Sequence, residues 1–238
     1  MLIEHLERRR LLSAAVQQTS PGYYEVHGDD NGDTIAISVS QNDQTFSLDG
    51  FTYDNVAFID VYGGAGNDNI SLNSVDGEGS IGAAVDAGEG DNSVSMNFDG
   101  GIWVGNGNNI IHLQDSFRGE VHTGDGNDQV YVLGDCIDAD ILCGNGNDLI
   151  DASGNNYGVV VHAGSGNDTI IGSAYDDEIY GGGGSNEIHG GGGNDVFDCQ
   201  TDYQDTIYGD GGSDTLYGNG TEVSIQNVEH IYIMNSLS

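Results

Sequence analysis

Large apolar residues return along this chain at two spacings. Ile70, Val94, Ile111, Val130, Ile150 and Ile170 stand 24, 17, 19, 20 and 20 residues apart. From Ile179 through Ile188, Phe197 and Ile207 to Leu216 the steps shorten to 9, 9, 10 and 9. Flanking apolar columns keep the same phase. Val61, Val85, Ile102, Val121, Ile141 and Val161 precede a glycine loop, and Leu72, Met96, Leu113, Val132 and Ala152 follow the first column by two. Alternation with period two predicts short strands with one face inward. A fixed repeat of about twenty residues predicts stacked coils, with a nine-residue half-turn. The reading is an all-β chain, a parallel β-solenoid of the β-roll or β-helix type. About eight coils between Gly63 and Leu216, stacked at about 4.8 Å, make a rod roughly 40 Å long.

The flanks differ. Thr34-Ile35-Ala36-Ile37-Ser38-Val39 alternates like a half-buried strand, and 45–62 supplies two more short strands around a turn at Asp49-Gly50. The closing stretch 223–233 alternates and is expected to cap the last coil, as solenoid ends require. The chain therefore divides into a targeting or disordered segment (1–20), strands leading into the solenoid (21–62), the solenoid (63–218) and a capping strand (219–238).

Between the strands one phrase recurs: Gly64-Ala65-Gly66-Asn67-Asp68, Gly124-Asp125-Gly126-Asn127-Asp128, then again from Gly144 and from Gly164. Gly190-Gly191-Gly192-Gly193-Asn194-Asp195 has the same frame, and 28–33 is a degenerate first copy. Glycine permits the positive φ of a tight turn and leaves carbonyls exposed. The Asp adds a carboxylate to the same gap. Calcium takes six to eight oxygens in forgiving geometry, whereas magnesium keeps a small octahedron and its waters. Several calcium ions are the expectation. The candidate carboxylate ligands are Asp33, Asp68, Asp128, Asp148, Asp168, Asp177, Asp195, Asp205 and Asp214. Candidate carbonyl donors are Gly64, Gly66, Gly124, Gly126, Gly144, Gly146, Gly164, Gly166, Gly191 and Gly193. Asn92, Asn109 and Asn186 take the Asp position in three copies, where an amide oxygen would ligate without charge and more weakly. Tyr175 and Tyr203 replace a loop glycine, and those loops are expected to hold no ion.

Charge sharpens the picture. The formal net charge is −35, lysine is absent, and past Ser20 only Arg118 is basic. Nothing could neutralise phosphates, which excludes nucleic acid and anionic membranes as partners. Two stacked carboxylates about 5 Å apart repel by roughly 3 kcal/mol at an effective dielectric near 20. A column of them would rival a domain stability of about 5–15 kcal/mol. The calcium-free chain is therefore expected to be largely disordered and to fold on the metal. No apolar run is long enough for a membrane helix. Cys136, Cys143 and Cys199 make no metal spacing and read as small core residues, with a Cys136–Cys143 disulfide as the alternative.

The segment 63–218 resembles the calcium-binding repeats-in-toxin (RTX) family, right-handed parallel β-rolls of secreted proteins. That resemblance implies the same fold, the same metal and an extracellular or cell-surface location. Residues 6–14, Leu6-Glu7-Arg8-Arg9-Arg10-Leu11-Leu12-Ser13-Ala14, resemble the L-E-x-R-x-L-L-S-A sorting motif of planctomycete-type extracellular proteins. This motif, rather than a type I export signal, is the expected address. Catalysis is not expected, because no Ser-His-Asp or Cys-His arrangement stands out and carboxylate pairs are uninformative in so acidic a chain. Ice binding fares no better: Asn67, Asn108, Asn127, Asn147 and Asn167 make a regular row, but Ala65, Glu89, Asn106, Asp125, Asn145 and Ser165 beside it are irregular. An outward row of Tyr62, Asp86, Trp103, His122, Leu142, His162, Tyr180 and His189 offers aromatic faces to a sugar or a protein. The expected role is structural or adhesive. Surface polysaccharide, other matrix proteins and end-to-end self-association are the partners that role implies.

Overall fold

A computed structural model of the chain describes residues 14–76, 79–199, 205–218 and 224–233. Among these there is no helix, and the strands form two sheets of 12 strands each. From Phe58 onward successive strands alternate between the sheets, so each consecutive pair is one coil. Nine strands of the first sheet, from Phe58–Tyr62 to Thr215–Gly218, bound eight coils, as the spacing predicts.

Register places the predicted columns on top of one another. Ile35, Ile70, Val94, Ile111, Val130, Ile150, Ile170, Ile188, Ile207 and Ile225 are directly paired along one sheet. Val61, Val85, Ile102, Val121, Ile141, Val161, Ile179, Phe197, Leu216 and Ile231 are paired along the other. The nine-residue step is thus a crossing from one sheet to its partner. Side chains of the two columns, the exposed Ile231 apart, meet in a thin core, and the three cysteines are buried in it as free thiols. Burial drives the Cys136 thiol up to about 11 and that of Cys199 to about 12, so both stay protonated and inert.

A core this thin has little slack. Ile150 is fully buried between Val130 and Ile170. Ile150→Ala should cost about 2–5 kcal/mol through lost burial and a cavity. Denaturant unfolding in saturating calcium measures it, with the outward-facing Leu149→Ala as a control that should cost far less.

Strands begin at Ala15, within the stretch 1–20 expected as leader; residues 1–13, which hold all of the sorting motif except Ala14, lie outside the described residues. Ala15–Ser20 pairs antiparallel with Tyr23–His27. On the other sheet Thr45–Leu48 and Phe51–Asp54 form a hairpin, antiparallel to Thr34–Ser40. Its turn is the predicted Asp49-Gly50, with φ of 52° and 79°. These lead-in strands are a lid. Phe46 stacks on Tyr53 at 4.6 Å, Tyr24 meets Phe46 edge-on at 5.3 Å, and the Tyr24 hydroxyl donates to the Asp54 carbonyl at 2.9 Å. Reversed strands and aromatics close a parallel stack whose end would otherwise present an open sheet edge. At the other end Ser224–Gln226 and His230–Ile233 add one parallel strand to each sheet, within the stretch expected to cap the coil.

Candidate metal centres

The glycine phrases are the six-residue turns that carry the chain between sheets. Along one edge lie 28–33, 63–68, 87–92, 104–109, 123–128, 143–148, 163–168 and 181–186. Along the other edge lie 172–177, 190–195 and 209–214, in the coils where the repeat shortens to nine. Every candidate ligand falls on one of these two edges. Asp33, Asp68, Asn92, Asn109, Asp128, Asp148, Asp168, Asn186 and Asp205 share the first edge, and Asp177, Asp195 and Asp214 the second. The loop of Tyr203 lies outside the described residues.

One oxygen of each carboxylate or amide has a fixed task. Beyond the first rung of each ladder, Asp33 and Asp177, Oδ1 accepts the backbone N–H of the rung one coil earlier. The distances are 2.7 Å for Asp33 N–H to Asp68, 2.9 Å for Asp68 to Asn92, 3.0 Å for Asn92 to Asn109 and 2.7 Å for Asn109 to Asp128. They continue at 2.8 Å from Asp128 to Asp148, 2.9 Å from Asp148 to Asp168, 2.9 Å from Asp168 to Asn186 and 2.8 Å from Asn186 to Asp205. On the second edge Asp177 N–H reaches Asp195 Oδ1, and Asp195 N–H reaches Asp214 Oδ1, each at 2.9 Å. Glu229 prolongs that ladder, its Oε2 accepting Asp214 N–H at 2.9 Å. It was missed because no glycine phrase precedes it.

The second oxygen has no such task. Oδ2 of Asp68, Asp128, Asp148, Asp168, Asp195 and Asp214 is buried and accepts no hydrogen bond. What it faces is also an acceptor. A methyl placed on Gly63 would stand 2.5 Å from Asp68 Oδ2 and 2.5 Å from the Ala87 carbonyl oxygen of the next coil. On Gly190 it would stand 2.4 Å from Asp195 Oδ2 and 2.9 Å from the Gly209 carbonyl oxygen. A small space walled by buried acceptors, without a donor, is costly unless a cation fills it. Among the described residues no three His, Cys, Asp or Glu side chains converge. Backbone carbonyls must therefore supply much of any coordination shell, which suits calcium.

Electrostatics agree. Burial, with neighbouring carboxylates adding to it, pushes Asp148 and Asp195 up to about 7. Burial likewise pushes Asp168 and Asp177 up to about 6, and raises Asp68, Asp128, Asp205 and Asp214. Without a cation these sites resist being charged.

Not every loop is open. Asp33 Oδ2 accepts Asp29 N–H at 2.7 Å, and Asp177 Oδ2 accepts Ser173 N–H at 2.7 Å. The second of these is the loop of Tyr175, where glycine is lost. A further ladder runs outside the first, in the opposite direction. Oδ1 of Asn108, Asn127, Asn147 and Asn167 accepts from the next coil's backbone at 2.9, 2.8, 2.7 and 2.8 Å. The regular asparagine row thus has its carbonyl oxygens tied into the stack.

No curated protein and no solved structure matches the chain. The family model of the RTX calcium-binding nonapeptide repeat matches in four copies, over residues 60–75, 162–197 and 201–221. Proteins of that family bind calcium in these repeats, and the acceptor-lined turns of this chain fit the ion. By those four copies and the parallel two-sheet coil that carries them, this chain is a β-roll that bears calcium-binding repeats of the RTX type.

Proposed function

We propose that the chain is a secreted or surface-located calcium-binding solenoid, without catalytic activity, that becomes rigid on meeting extracellular calcium and serves a structural or adhesive role. The observation that carries this is the set of six buried carboxylate oxygens without donors, in a chain of formal net charge −35. Such a chain can be stiff where calcium is abundant and unfolded where it is scarce. The test is calcium titration of the chelated chain, followed by circular dichroism and calorimetry together. Several ions should bind with a cooperative gain of β signal. Absence of binding heat would sink the reading.

A second reading is an adhesin module that holds carbohydrate or protein on its outward face. Trp103 is 40% and Tyr62 is 37% exposed. The rings pair across coils: His27 with Tyr62 at 4.8 Å, Trp103 with His122 at 5.9 Å and His162 with Tyr180 at 4.3 Å. His189, expected in this row, lies on the opposite sheet against Tyr208, because a nine-residue step changes sheet. Pairing occupies one face of each ring, which weakens the case for sugar stacking. A calcium-dependent hit on a glycan array would restore it. The antiparallel lid weighs against end-to-end filaments, and sedimentation at varied calcium tests that directly.

A further inference from the structure

Asparagine and aspartate differ at the rung by one group, –NH2 in place of O. In this ladder that group is the one that matters. The carbonyl end of each rung asparagine is spoken for. Asn92 Oδ1 accepts Asp68 N–H at 2.9 Å, Asn109 Oδ1 accepts Asn92 N–H at 3.0 Å and Asn186 Oδ1 accepts Asp168 N–H at 2.9 Å. A backbone N–H can only donate, so it fixes which end of the amide faces it. The –NH2 must therefore point where Asp has its second oxygen.

There it meets the acceptors that the Asp rungs leave unserved. Asn92 Nδ2 donates to the Gly88 and Gly90 carbonyls at 3.0 and 3.1 Å. Around Asn109 Nδ2 stand the Gly105, Gly107 and Thr123 carbonyls at 3.1, 3.2 and 3.2 Å, and Asp128 Oδ1 at 3.0 Å. Thr123 opens the loop of the next coil, as Ala87 does for Asp68. Asn186 Nδ2 donates to the Gly181 carbonyl at 3.1 Å. All three side chains are at least 98% buried. To ligate an ion with its oxygen, each would have to turn over, break the inter-coil bond and aim an N–H at the metal or at another donor.

We propose that Asn92, Asn109 and Asn186 are plugs: their amide groups stand in for the cation, so these rungs fold without calcium and divide the first-edge ladder. Asp68 is then separated by two plugged rungs from the run Asp128, Asp148 and Asp168, and Asn186 closes that run on its other side. The sites that the sequence offers as weak become sites that take no ion. This rests on the reading of the open Asp rungs as calcium sites.

The test is a pair of opposite exchanges, Asn109→Asp and Asp148→Asn, read by the calcium stoichiometry in calorimetry and by the β signal in excess chelator. Asn109→Asp should bind at least one more calcium than the parent and lose β signal more readily in chelator. Asp148→Asn should bind at least one fewer and hold its signal better, because it supplies its own donor. If the parent binds calcium and neither exchange changes the count, or if Asp148→Asn lowers the chelated signal, the plug is overturned. If the parent binds no calcium, the calcium reading itself fails. Should Asn109→Asp not fold, Asp148→Asn decides alone.

Discussion

Stripped of calcium at pH 7.5, the chain should lose most of its β circular-dichroism signal, and lowering the pH to 5 should restore part of it. The rungs explain both halves. At pH 7.5 the buried carboxylates of Asp148 and Asp195, pushed up to about 7, and those of Asp168 and Asp177, pushed up to about 6, are mostly forced to ionise without a partner. Adjacent rungs about one strand spacing apart then repel by roughly 3 kcal/mol each, against a total stability of about 5–15 kcal/mol. In the unfolded chain the same carboxyls hold their ordinary value near 3.8. Between about 4 and 7 the folded form therefore keeps protons that the unfolded form has released, and calcium-free stability falls as pH rises through that window. A protonated Oδ2 is itself a donor, able to bond the carbonyl that faces it, as Ala87 faces Asp68. Calcium reverses the order of preference. It displaces those protons, so its affinity should weaken as pH falls from 7 to 5. Spectra in excess chelator across this range, beside calorimetric affinities, measure both slopes. A full β signal at pH 7.5 in chelator, or a signal that drops further toward pH 5, would be incompatible with this account.

Calcium, a proton and an asparagine amide are thus three answers to one arrangement of acceptors. That explains what the sequence could and could not disclose. The columns from Ile70 to Leu216 were legible because every second residue on a repeated strand must be apolar, and that is a local constraint. The loops were legible because Gly144 and Gly146 mark backbone that few other residues adopt. The direction in which Asn109 points its amide was not legible. It depends on an N–H of Asn92, 17 residues away in sequence and one coil away in space. The lid was legible as strands and a turn but not as antiparallel pairing, since partner choice for Thr45–Leu48 is settled by the open end of the core. Glu229 carries no phrase at all, and only the stacking of the last coil brings it beneath Asp214.

Replacing Gly146 by alanine should cost as much as a large side-chain deletion in the core, even in saturating calcium. Gly146 has a φ of 145°, where a Cβ is strained whatever the space around it. Here there is no space. A Cβ would lie 1.5 Å from the carbonyl oxygen of Gly126 on the coil below. Neither atom belongs to a flexible side chain, so relief requires the two loops to part. Parting them breaks the bond that holds these two loops together, Gly126 N–H to the Asn145 carbonyl at 2.8 Å. It also stretches the Asp128–Asp148 rung, whose acceptor space lies between the same loops. Left-handed strain alone costs about 1–3 kcal/mol, and the backbone overlap adds to it. The sum should reach at least about 4 kcal/mol, a large share of a typical domain's stability. Gly50→Ala separates the two effects. Gly50 also has a positive φ, 79°, but nothing stands within 4 Å of the added methyl. It should cost only about 1 kcal/mol, the ordinary difference between glycine and a residue with a Cβ in such a turn. Denaturant unfolding of both variants in calcium makes the comparison, and the calcium count of Gly146→Ala should fall as well. Equal costs for the two would mean that adjacent loops are not packed backbone to backbone, and the tight acceptor spaces on which calcium binding rests would lose their walls.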